Sequence, residues 1–169
     1  TWSFLSEKQA KLFKGGLSAL KIENPISADL SDMRPSLLPN LLSAVARNLS
    51  RGIKNPALFE VGHQYLENTQ TLVVAAVRAG EINAKHWASP QRPADFYDIK
   101  ADVLALLTSL GIEASTPQLI AEAPSWYHPG RSASLKLRPK LTLATVGEIL
   151  PALLKEFDLE TSVVAFECY

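Results

Sequence analysis

The side chains able to do chemistry are few and scattered. The sequence holds three histidines, His63, His86 and His128, a single cysteine, Cys168, and 17 acids. No histidine pair has the H-E-x-x-H spacing of a metal site, and one cysteine can build neither a thiolate cluster nor an internal disulfide. Serines are plentiful, but no G-x-S-x-G elbow presents one as a nucleophile. Neither G-x-x-x-x-G-K-[ST] nor G-x-G-x-x-G offers a phosphate cradle. Asp95, Asp98 and Asp102 could be paired as general acid and base, yet acids at a helix start also cap it and complement its dipole. The most site-like run is YHPGRS, residues 127–132, where an arginine and a hydroxyl beside glycine can hold an anion or satisfy one another in a turn. No catalytic, cofactor-binding or metal-ligating residue is assigned on these grounds.

Basic residues are the remaining candidates. In MRPSLLPNLLSAVARNLSRG, residues 33–52, Leu37, Leu41, Val45 and Leu49 recur every fourth position, with Leu38, Leu42 and Ala46 beside them. This spacing predicts an amphipathic helix with Pro39 in its first turn, Arg47 and Arg51 near its negative end, and Gly52 after it. Candidate contacts to a partner or to RNA phosphate are Arg34, Arg47, Arg51, Lys54, His128 and Arg131. The 17 basic and 17 acidic residues cancel, which removes the broad positive field of a domain that lives by gripping nucleic acid.

These side chains need a scaffold. Residues 2–5 read as a short strand and residues 6–16 as a capped helix, with Leu12 and Phe13 on its buried side; KIENPISADLSDMRP reads as a loop. PALFEV and TLVVAAV read as neighbouring strands, and Ala84 to Asp95 as a Pro-bearing loop. YDIKADVLALLTSLG reads as a helix capped by Asp95 or Asp98, while a loop ends in SWYHPGRSA. SLKLR, LTLATVGEI and SVVAFECY read as strands, with a short helix PALLKEF between the last two. The sum is α+β: an antiparallel or mixed sheet flanked by helices. At 169 residues and 47% hydrophobic, the chain fits one domain that buries roughly 70% of its unfolded surface. No apolar run reaches the roughly 20 residues of a membrane span, and the expectation is a cytosolic protein. Aromatics in connecting segments, Trp87, Phe96, Tyr97, Trp126 and Tyr127, favour burial against a partner.

Several segments in order, NPISADLSDMRPSLLPNLLSAVARNLSRG, ALFEVGHQY, DFYDIKADVLALL, HPGRSA, VGEILP and VAFE, resemble the β subunit of bacterial phenylalanyl-tRNA synthetase. The resemblance spans nearly the whole chain. It implies that residues 1–169 are one catalytic-like core domain of a longer subunit, a degenerate copy of the class II aminoacyl-tRNA synthetase fold. It also implies that the working active site lies in an α subunit, assembled as (αβ)2 and using ATP and magnesium, with tRNA(Phe) bound by the whole enzyme. In a working class II motif an aromatic and then an arginine follow the glycine, and the arginine clamps the ATP α-phosphate. GHQYL matches through Gly62 and Tyr65 but carries Leu66 in the arginine's place, and leucine cannot donate to phosphate. Two further departures are Leu150, where histidine is common, and His63, where arginine is common. The family's long interface helix is expected ahead of Thr1, and its last motif after or cut at VAFECY. A non-catalytic interface module is the reading this supports. A tRNA-binding module and a free-standing ATP-dependent ligase-like domain are the alternatives.

Overall fold

Ser6 accepts a hydrogen bond from the Gln9 N–H and starts helix α1 (Glu7–Leu12); the Gln9 side chain reaches Ser43 instead of closing the reciprocal half of a capping box. Gly15 and Gly16, the latter at φ 78°, turn the chain out of the helix. The strand ahead of α1 is only β1 (Phe4–Leu5). Its partner β2 (Asp32–Met33) lies inside the stretch expected to be a loop, which also holds a 3-10 turn at Ala28–Leu30. The computed structural model describes residues 1–67, 69–83, 86–88, 90–138 and 140–169; Ala84, Lys85 and Ser89 of the expected loop lie outside them.

Helix α2 (Leu38–Ser50) takes Pro39 in its first turn and buries Leu38, Leu41, Leu42 and Val45. Its first N–H, that of Leu38, donates to Ser36 Oγ at 3.0 Å, replacing a conventional cap. Strands β3 (Ala57–Leu66) and β4 (Thr69–Ala79) form a hairpin, and α3 (Phe96–Ser109) follows. Asp95 accepts from the Tyr97 and Asp98 N–H groups while Asp98 accepts from the Asp95 N–H, a complete capping box. These two acids are therefore cap residues.

The remaining strands are β5 (Gln118–Ile120), β6 (Tyr127–Arg138), β7 (Leu141–Ile149) and β8 (Val163–Cys168), with the short helix α4 (Pro151–Leu154) between the last two. The six-stranded sheet has the order β3-β4-β8-β7-β6-β5, and every pairing is antiparallel. The last strand in sequence is thus central in space. YHPGRS, expected as a loop, is the first half of β6; Gly and Pro are accommodated by a register shift between Tyr127 and Ser132. Gly147 lies opposite this bulge, where a Cβ would stand 2.5 Å from that of Ser132.

Alternation along the strands builds a core on each face of the sheet. Val73, Ala75, Val77, Val163 and Ala165 pack toward α1, α2 and α4, and Ala133, Leu135, Val146, Val164 and Phe166 pack under α3. Trp126 and Tyr127 belong to the first core, with the Trp126 ring tilted against Phe13 at 5.3 Å, so these two aromatics are not partner contacts. Trp87, 94% exposed, and Tyr97 stay on the surface.

Candidate functional site

Arg34 follows β2 in a buried strap, residues 32–39, and its side chain is 3% exposed. Its Nε donates to the His63 carbonyl at 2.8 Å. Its Nη1 donates to Glu60 Oε1 at 2.7 Å, the Thr1 hydroxyl at 3.0 Å and the Trp2 carbonyl at 3.2 Å. The Arg34 carbonyl in turn accepts from the Tyr65 N–H at 2.9 Å. The guanidinium lies over Gly62, where any Cβ would strike its Nη2, so glycine is required for close approach. Burial opposes ionisation of Glu60, but hydrogen bonds from Thr1 and Arg34 prevail and hold its carboxyl below the ordinary range. Arg34 is thereby corrected from a surface contact to an internal brace between the strap, the N-terminal segment and β3.

The other expected contacts are dispersed. Arg47 and Arg51 are exposed at the C-terminal end of α2, and among the described residues neither forms an ion pair. Lys54 lines a groove of about 580 Å³ with Lys155, but Asp158 and Glu160 line it too, and the field there is mixed. His128 Nδ1 accepts from the Gly130 N–H at 3.1 Å, and the Ser132 hydroxyl donates to the His128 carbonyl at 2.7 Å. Arg131 donates to Glu148 at 2.8 Å. The polar groups of His128, Gly130, Arg131 and Ser132 thus pair with one another and with a neighbouring strand.

The structure brings no histidine, cysteine or acid into a metal cluster: among the described residues no group of three or more converges. Leu66 ends β3, exposed and without a donor, so the residues at that position do not fit an ATP phosphate. Asp102 is engaged in a bidentate pair with Arg78, at 2.5 and 2.9 Å, which ties α3 to β4.

Two features escaped the sequence reading. On the α3 side of the hairpin, Phe59 (75% exposed), Val61 (56%) and Leu72 form an apolar strip, facing each other through the Phe59–Ala76, Val61–Val74 and His63–Leu72 register. It continues into a groove of about 320 Å³ lined by Val74, Ala76, Leu106 and Phe166. Alternation was the available signal: Phe59 and Val61 share one face of β3, which lies at the edge of the sheet. The second feature is Glu167, buried near the C-terminal end of β8.

Residues 1–169 match the family model described as the phenylalanyl tRNA synthetase beta chain CLM domain. The chain is 50% identical over 99% of its length to a phenylalanine–tRNA ligase beta subunit of Rhodospirillum rubrum, and 47% identical over 100% of its length to that of Paramagnetospirillum magneticum. It spans 21% of the length of each relative. A pyrrolysyl tRNA synthetase structure from Desulfitobacterium hafniense superposes with a TM-score of 0.64 at 17% identity, covering 99% of this chain and 58% of that one. The fold is accordingly that of a class II aminoacyl-tRNA synthetase core.

Proposed function

Because the chain belongs to the phenylalanyl-tRNA synthetase β-chain CLM-domain family, we propose that it is a non-catalytic structural and interface module of phenylalanine–tRNA ligase. In this reading it supports the α subunit, which makes phenylalanyl-adenylate from ATP and transfers phenylalanine to tRNA(Phe) in a cytoplasmic (αβ)2 assembly. ATP and magnesium belong to the α subunit, and residues 1–169 are a degenerate catalytic core. The observation that carries the proposal is Leu66. The strand position where a phosphate-clamping arginine belongs holds an exposed side chain with no hydrogen-bond donor. The interface role is supported by the Phe59–Val61–Leu72 strip, an apolar patch of the kind that marks a protein contact.

The tRNA-binding alternative rests on Arg47, Arg51 and Lys54. It is weakened by Asp158 and Glu160 in the Lys54 groove and by the dipole role open to the two arginines. ATP–pyrophosphate exchange with phenylalanine, run on the chain alone and on the chain with an α subunit, tests the proposal. Exchange only in the mixture is expected; exchange by the chain alone would overturn it.

A further inference from the structure

We propose that Glu167 is a proton-operated latch that fastens the strap of residues 32–39, and with it the N-terminus of α2, to the centre of the sheet. The side chain is 1% exposed and stands between Ala75 of β4 and Thr145 of β7 in the register. It points to the same face as Val163 and Ala165, the face that α2 covers. The Ser36 hydroxyl donates to Glu167 Oε1 at 2.6 Å. Since Ser36 Oγ accepts from the Leu38 N–H, its own proton is committed to Glu167. A relay from the Leu38 N–H through the Ser36 hydroxyl thus ends on one carboxyl.

No cation offsets that carboxyl: among the described residues Glu167 forms no ion pair. Arg34, two residues up the strap, is turned to Glu60 and β3, and Arg78 on β4 lies on the other face with Asp102. The groups that sense Glu167 are the hydroxyls of Tyr127 from β6 and of Tyr169 after β8, the latter 3.3 Å from Thr145 of β7. Among the described residues no hydrogen-bond partner reaches the buried Tyr127 OH. The charged residues of α1 and of the stretch after Pro151, among them Lys11, Lys155 and Glu156, lie on the surface. Burial without a counter-ion raises the carboxyl from 4.5 to about 7, against the opposing pull of the Ser36 hydroxyl and the Leu37 backbone.

A carboxyl raised in the folded state stabilises fully below its unfolded value of 4.5, and that stabilisation is lost as pH rises through about 7. Across the whole window the folding constant falls roughly 300-fold from this group alone.

Urea unfolding of the 169-residue chain at pH 5 and pH 8, for wild type and Glu167→Gln, tests the latch. The wild-type folding constant is expected to fall on the order of 50- to 100-fold more than that of the variant. Amide exchange at Leu37 and Leu38, corrected for intrinsic rates, should accelerate at pH 8 in wild type alone. Equal pH dependence in both proteins would overturn the proposal. If Glu167→Gln fails to fold, the Glu167 carboxyl of wild type, followed by carbon NMR, decides: a midpoint near 7 supports the latch and one below about 5 refutes it.

Discussion

Replacing Arg34 by alanine removes the donor side of a buried cluster in one step. The guanidinium satisfies the His63 and Trp2 carbonyls, the Thr1 hydroxyl and Glu60, whose side chain is only 13% exposed. Without it, Glu60 is left largely buried with its main cation gone, a situation that costs about 3–5 kcal/mol. For a chain of this length each kcal/mol moves the melting midpoint by roughly 2–4 °C, so a fall of about 10 °C is expected. Urea and thermal unfolding followed by circular dichroism read both quantities. Glu60→Gln combined with Arg34→Met should be less damaging than Arg34→Met alone, because the stranded charge is gone. The pH dependence has a definite sign. Glu60 is held below its ordinary 4.5, so its stabilising contribution is present above that value and lost as pH falls through the lowered one. The gap between wild type and Arg34→Ala must therefore narrow in acid. A loss under about 1 kcal/mol, or a gap that does not change with pH, would refute the brace.

Gly62→Ala drives a methyl into the Arg34 guanidinium and should cost about 1–3 kcal/mol by denaturation, with the penalty reduced in an Arg34→Ala background. Asp95→Ala removes the acceptor for the Tyr97 and Asp98 N–H groups; a loss of about 1 kcal/mol and faster amide exchange confined to the first turn of α3 are expected.

Helices α2 and α3 were legible in the sequence because leucine spacing, Pro39, Asp95 and the closing glycines all pointed the same way. The β3–β4 hairpin was legible from its apolar, β-branched runs. YHPGRS reads as a loop because Pro and Gly usually interrupt strands, and a bulge that absorbs both leaves no sequence signature. The central place of β8 depends on pairings with β4 and β7 far earlier in the chain, which no local pattern encodes. By sequence Arg34 is a candidate contact to a partner or to RNA; its acceptors lie on β3 and at the N-terminal segment, and only the folded chain assembles them. Glu167 did carry a signal, as a carboxylate at an inward position of an otherwise apolar strand, where an acid is rarely buried without a partner.

The interface role is tested most directly by light scattering on a sizing column, with the chain mixed at micromolar concentration with a phenylalanine–tRNA ligase α subunit from the same source. A complex of defined mass is predicted, lost on replacing Phe59 and Val61 by aspartate, two exposed positions where the chain's own melting midpoint should barely move. No complex, or one indifferent to those two substitutions, would contradict the account.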